Sequence, residues 1–221
     1  MPTKPKTNQP ETPDINQSRD NFQTPHHAVD LLIPYIPKHI KTIYDPCAGY
    51  NGYGRIRQRL EYHGYKTYGS DIIGTENIYN FITGNSSYIH NPFFIKGIEG
   101  FVLNPPYSLK KKFYQKLILY NKPFAMLIPA DYSGWVIHSI DNDFCEKIIP
   151  IRRINYITPN ILDRIKTAKA IEYKSIDDVP SNVLYKHSNA QFHSMWLCYK
   201  FNIGRTETFV DLPIEYAKQN M

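Results

Sequence analysis

Lys41-Thr-Ile-Tyr-Asp45-Pro-Cys-Ala-Gly-Tyr-Asn-Gly-Tyr-Gly54 reads as a short strand that runs into a glycine-rich turn. A helix follows, with Ile56 and Leu60 on its apolar side and Gly64 as its stop. Lys66 to Ile72 then reads as a second strand ending at Asp71, which completes one β-α-β unit. Gly49, Gly52 and Gly54 let the backbone turn tightly and come close to a ligand. In an open α/β sheet, ligands bind outside the carboxyl ends of the strands, so this turn predicts a binding site there. Asp71, at the end of the next strand, is placed to accept hydrogen bonds from ribose hydroxyls. A dinucleotide turn of the dehydrogenase type lacks the Asp45-Pro46 lead-in, and a carboxylate there would repel a pyrophosphate. A cationic ligand suits it better.

Upstream, Thr24-Pro25 resembles a helix N-cap followed by proline at the first helical position. Ala28, Val29, Leu32 and Ile36 share one face of that helix, which is expected to end near Pro37. Downstream, Gly100-Phe-Val-Leu103 is an apolar strand that stops at Asn104-Pro-Pro-Tyr107. Phe113, Leu117 and Tyr120 predict a helix over 109–120, Phe124 to Ile128 a buried strand, and 135–148 a further helix. Residues 154–157 and 192–201 read as late strands with no clear helix between them, expected to form an antiparallel hairpin at the sheet edge. Strands alternating with helices predict an α/β fold with a mostly parallel, seven-stranded sheet covered on both faces. Residues 1–20, rich in Pro, Thr, Asn, Gln and charge, predict a flexible tail, leaving 21–221 as a single domain.

Asn104-Pro105-Pro106-Tyr107 carries the sharpest chemical signal. Two consecutive prolines remove backbone donors and stiffen the exit from the strand. The Asn104 amide and the Pro105 carbonyl then become fixed acceptors beside the flat face of Tyr107. An aryl amine is a weak nucleophile because its lone pair is delocalised into the ring. Two acceptors aimed at its hydrogens favour the pyramidal nitrogen of a transition state, a form of pre-organised electrostatic stabilisation. Tyr107 can receive a base that has left a duplex stack. This chemistry needs no metal and no covalent intermediate.

These residues resemble the S-adenosylmethionine-dependent DNA adenine N6-methyltransferases with an Asn-Pro-Pro-Tyr motif, and in particular small phage-encoded ones. The resemblance spans roughly residues 22–202 and implies a Rossmann-like methyltransferase fold. It also implies that Phe22, Thr24 and Pro25 form the N-terminal cofactor motif, with the aromatic ring near the methionine moiety. Asp45, Pro46, Cys47, Gly49 and Gly52 resemble the cofactor glycine loop, and Asp71 with Ile72 the ribose-binding end of the second strand. Asn80-Phe81 lies where the family often carries an Asp-Phe pair at the cofactor adenine. Asn104 to Tyr107 matches the catalytic tetrapeptide. Lys186-His-Ser-Asn-Ala-Gln-Phe192 resembles the loop before the family's last hairpin, which implies that Asn189 and Phe192 line the base pocket. The chain departs from the family in a longer glycine loop, in Asn rather than Asp at position 80, and in lacking a separate target-recognition domain. Only residues 158–191 are left to read a substrate, so selectivity is expected to be short, loose or supplied by a partner protein or an oligomer.

The 221 residues are 42% hydrophobic and carry a formal net charge of +6, a mild excess that favours a polyanionic partner such as DNA. Lys110, in the Lys110-Lys-Lys112 run, is read either as a phosphate contact or as a solvated helix start, since cations are not favoured at a helix N-terminus. Arg152 and Arg153 carry the same two readings, and His26-His27 is read as helix packing or solvent exposure. The three cysteines, Cys47, Cys145 and Cys198, lack C-x-x-C spacing and predict reduced thiols. No apolar run is long enough for a membrane span, and the N-terminus has no apolar signal core. A cytoplasmic protein of a bacterial or phage-infected cell is expected. The same chemistry on RNA adenine or protein glutamine, and a non-catalytic cofactor-binding or assembly module, are the alternatives.

Overall fold

Successive residues of the central strands feed two different cores. Ile43, Val102, Ala125, Leu127, Trp196 and Cys198 pack on one face, with Ala28, Leu32, Ile56 and Leu60. Tyr44, Phe101, Leu103, Phe124, Met126, Ile128, Met195 and Leu197 pack on the other, with Phe113, Leu117 and Val136. Strands buried on both faces read as continuous apolar runs, which is why they were visible in the sequence.

The structure, a computed structural model, describes residues 22–49, 53–72, 81–82, 96–158, 160–188 and 192–211. Its strands are β1 (Thr42–Asp45), β2 (Lys66–Gly69), β3 (Gly100–Leu103), β4 (Phe124–Pro129), β5 (Glu146–Pro150), β6 (Ser194–Tyr199) and β7 (Glu207–Val210). They form one seven-stranded sheet of order β2-β1-β3-β4-β6-β5-β7. All neighbours are parallel except β6, which runs antiparallel to both β4 and β5. The chain winds outward from β1 to β2 and then crosses back to β3, so strand order reverses between β1 and β3. That reversal opens a crevice at the carboxyl edge of the sheet.

The helices are α1 (His26–Asp30), α2 (Arg55–Tyr62), α3 (Lys110–Tyr120), α4 (Gly134–Asp141), α5 (Ile161–Lys169) and α6 (Ser181–His187). The helices α1 and α2 cover the first face, and α3 and α4 the second. The indole N–H of Trp196 donates to the Ala28 carbonyl at 2.9 Å and pins α1 to the middle of the sheet. No helix among the described residues is long and apolar enough to cross a membrane.

Four expectations change. The first helix covers only five residues, followed by a 3-10 turn at Ile33–Tyr35, because Pro34 has no N–H to continue it. Pro25 itself is the N-cap, and no side chain caps this helix. The helix expected over 135–148 ends at Asp141, and 146–150 is strand β5. The edge hairpin is absent: residues 154–157 contribute only a bridge between Gln23 and Ile157, and β6 lies inside the sheet, with β7 parallel to β5 beyond it. Between β5 and β6 the chain makes the helical insert α5–α6, with its own small core of Ile157, Ile161, Ile165, Val179 and Leu184. The expected tail, 1–20, lies outside the described residues.

Candidate functional site

β1 and β3 are parallel neighbours, so the turns that follow them leave the same edge of the sheet about 5 Å apart. The first turn is held by its own backbone and by two carboxylates. The Ser70 amide donates to the Asp45 carbonyl, and the Ala48 amide to the Ser70 carbonyl, both at 3.0 Å. Asp45 accepts from the Cys47 amide at 2.9 Å, and Asp71 from the Gly49 amide at 2.9 Å. Gly49 takes φ +83°, a conformation that favours glycine. Gly54 serves a different purpose: a Cβ there would meet the Ala48 carbonyl oxygen at 2.1 Å. Its missing side chain lets the end of the turn close on the beginning.

Asp45 and Pro46 are buried, with Asp45 only 1% exposed. Burial lifts the Asp45 carboxyl to about 8; Asp71 pushes the same way, against the Cys47 amide and Arg57. Burial, reinforced by Asp45 and Asp71, also holds the Cys47 thiol protonated. With Asp45 protonated below about pH 8, Asp71 is the carboxylate that suits this turn to hydroxyl donors or a cation and not to a phosphate.

The second turn lines a shallow cleft with Phe22, Asn104, Pro105, Pro106, Tyr107, Tyr156 and Phe192. The Asn104 Oδ1 is buried and has no hydrogen-bond partner among the described residues. An unsatisfied buried acceptor costs about 1–3 kcal/mol, and it is expected to be filled or functional. Tyr107 meets Phe192 edge-on, with ring centroids 5.1 Å apart and planes at 73°. Tyr156 packs against Phe192 at 6.2 Å and Phe22 at 6.4 Å. The Tyr107 hydroxyl donates to the Tyr156 hydroxyl at 2.9 Å, which in turn donates to Ser194 Oγ at 2.8 Å. Phe22 reaches the cleft because Gln23 and Ile157 exchange two backbone hydrogen bonds of 3.0 and 3.1 Å.

No protein-family model matches this chain, and no curated protein matches its sequence.

Of the residues expected from sequence, the structure brings Phe22, Asn104, Pro105, Pro106, Tyr107 and Phe192 to one cleft. Asp45, Pro46, Cys47, Gly49 and Asp71 form the adjoining turn, with Ile72 exposed at its rim. Thr24 and Pro25 are buried at the start of α1. Phe81 is 1% exposed; its ring stacks on Phe113 at 5.5 Å and packs against Tyr44 and Phe101, so it belongs to the core beneath the mouth. Lys110 donates to Asp131 at 2.9 Å across two loops of the same edge. Burial raises the Asp131 carboxyl, but Lys110 and Ser133 overcome this and hold it below its ordinary value. Gly52, Asn80 and Asn189 lie outside the described residues. Sequence reasoning missed Tyr156 and Ser194. Their role depends on a tyrosine far away in the chain, and nothing in the neighbouring residues Ile154-Asn155-Tyr156-Ile157 announces it.

Proposed function

We propose that this chain transfers a methyl group from S-adenosylmethionine to the N6 amine of adenine in DNA, on a Rossmann-like methyltransferase fold. The observation that carries the reading is the buried, unpartnered Oδ1 of Asn104 inside an aromatic cleft, one strand away from a turn held by two acids.

The residues fit such a cofactor. Asp71, on the Gly49 amide, suits a ribose, and the crevice at the strand reversal is where open α/β sheets take ligands. Asp71 would hold ribose hydroxyls, while Asp45, buried below the turn, shapes it through the Cys47 amide. When bound, the cofactor supplies an electrophilic methyl carbon attached to a sulfonium.

The chain's own residues do the rest. Asn104 Oδ1 accepts a hydrogen of the target amine and favours the pyramidal nitrogen whose lone pair attacks. Tyr107 offers its ring to the extruded base, and Phe192 and Phe22 close the sides and exclude water. Tyr156 and Ser194 fix the position of the Tyr107 hydroxyl, and Phe192, edge-on to the ring, sets its plane. The proton released from the methylated amine leaves to solvent through the open side of the cleft.

The test is incubation of the protein with methyl-labelled cofactor and, separately, mixed-sequence DNA, RNA and a glutamine-containing protein, followed by nucleoside and amino-acid mass spectrometry. N6-methyladenine in DNA is expected. Label only in RNA or glutamine redirects the substrate, and cofactor binding without turnover on any polymer overturns the enzymatic reading.

A further inference from the structure

β7 closes the strand order and pairs with β5 alone among the described strands. Its hydrogen bonds fix which groups face outward. The Lys147 amide donates to the Thr206 carbonyl at 2.8 Å, and the Ile151 amide to the Val210 carbonyl at 2.7 Å. Backbone groups alternate in direction along a strand, so Thr208 and Val210 turn theirs to β5, and Glu207 and Phe209 turn theirs to the open edge. Such an edge is usually guarded by a charge, a proline or a bulge. Here the strand's one charge is tied inward: Glu207 accepts from the buried Lys147, and from the Tyr132 hydroxyl at 3.0 Å. Phe209, beside it, is 64% exposed.

The same face of the sheet carries more uncovered apolar surface. The register sets Ile149 beside Phe209. Ile151, two residues on and so on the same face, is 61% exposed. Tyr132, whose hydroxyl reaches Glu207, is 65% exposed. Large apolar side chains grouped beside an unguarded edge mark a contact surface.

Charge decides how this edge can meet a copy of itself. A two-fold axis pairs the strands antiparallel, with residue i opposite j and j opposite i. Setting Phe209 against itself puts Glu207 opposite Asp211 of the second copy, and setting Glu207 against itself repeats the fault. Like charges directly opposite are destabilising. Setting Thr208 on the axis avoids both. Glu207 then faces Phe209, and the exposed Arg205 faces Asp211, once on each side of the axis. The Asp211 side chain, 3.5 Å from Arg152 of its own chain, is still 54% exposed and can take the second cation. The two Phe209 rings lie diagonal to one another, within reach of contact. Thr208 points the same way independently. Its Oγ1 is buried without a hydrogen-bond partner among the described residues, a state that a hydroxyl is expected to relieve. On the axis, one staggered step about χ1 turns the two hydroxyls toward each other, a favourable cross-strand pair.

We propose that two copies of this chain associate through β7, antiparallel about a two-fold axis at Thr208, so that one sheet runs through both. The contact is independent of the chemistry at the cleft. Because one β7 runs against the other, the two clefts open on opposite edges of the joint sheet.

The experiment is sedimentation velocity of the full chain over a concentration series, combined with cysteine trapping. Wild type is expected to move from 25.8 kDa toward twice that mass as the concentration rises through the micromolar range. Phe209→Lys, at an exposed position, is expected to melt like wild type and to stay at 25.8 kDa throughout. Thr208→Cys places two thiols on the axis within disulfide reach, and mild oxidation is expected to give a covalent dimer on a non-reducing gel. Arg205→Cys sends its two thiols to opposite ends of the paired strands and is expected to stay monomeric. Oxidised wild type is the baseline. A wild-type mass of 25.8 kDa at every concentration, a Phe209→Lys variant that still doubles, or trapping of Arg205→Cys as fast as Thr208→Cys each overturns the proposal. A monomeric wild type that dimerises only after removal of residues 212–221 assigns the edge to the chain's own end, and the proposal falls on that result too.

Discussion

The hydroxyl of Tyr107 donates to the hydroxyl of Tyr156 at 2.9 Å, and this contact holds the far end of a ring that lines the same cleft as Asn104. Tyr156 is 3% exposed and passes the chain on to Ser194, which is fully buried. Tyr156→Phe keeps the ring and deletes the relay. It leaves Ser194 without its donor, at a cost of about 1–3 kcal/mol in stability. Under the proposed function, kcat falls several-fold with little change in the affinity for cofactor measured by calorimetry. A variant with wild-type kcat would show that the Tyr107 ring needs no such anchor.

Asn104→Ala removes the unpartnered acceptor. Because the buried Oδ1 has no partner to lose, folding stability is expected to hold or rise slightly. Methyl transfer is expected to fall by roughly 10²–10³-fold, the usual effect of deleting one pre-organised polar group. Melting and single-turnover rates on the same preparation check both signs.

Asp45 gives a pH signature. Its folded pKa, lifted mainly by burial, lies at about 8 against an ordinary 3.8. The folded state therefore keeps a proton that the unfolded state releases. The associated stability is complete below pH 4 and is lost progressively as the pH rises through 8. Asp45→Asn can keep the bond to the Cys47 amide and carries no such dependence. Its melting temperature is expected to gain on wild type as the pH rises from 5 to 8. A constant difference across that range would mean that Asp45 ionises normally.

The glycines of the first turn differ in what they tolerate. Gly54→Ala drives a methyl into the Ala48 carbonyl oxygen, which a Cβ would meet at 2.1 Å. Such a backbone clash costs about 1–3 kcal/mol or more, which lowers the melting temperature by several degrees in a chain of this length. Gly49→Ala meets no atom within 4 Å and bears only the strain of φ +83°. It is expected to cost about 1–2 kcal/mol, the penalty of a left-handed L-residue. Reversal of that order in thermal melts would displace Gly54 as the closing point of the turn.

What the sequence disclosed follows from how each element is stabilised. β1, β3 and β4 are buried on both faces, so their own residues announce them. β5 opens with Glu146-Lys147, and two charges beside a helical pattern disguise a strand. Lys147 is buried all the same, because Glu207 pairs with it and the Tyr132 ring lies 4.2 Å from its ammonium. Neither partner is near it in the chain. In the same stretch, Phe144 adopts φ +55°, which ends any helix over 135–148 before β5 begins. At the site, Asn104 to Tyr107 was legible because its chemistry is local. Tyr156 was not, because its meaning comes from Tyr107 and Ser194, brought to it by the return of β6. Phe81, expected at the cofactor adenine, is 1% exposed and stacks on Phe113, a packing that no residue near it in the chain announces.

The reversed course of β6 has a consequence for how such a chain can change. Because that strand runs back toward the mouth, the segment leaving Pro150 and returning at His193 starts and finishes at one spot, where the His193 ring hydrogen-bonds to the Pro150 carbonyl. Residues 160–188 lie between the cleft residues Tyr156 and Phe192, so a change of length there leaves both walls and every strand register where they are.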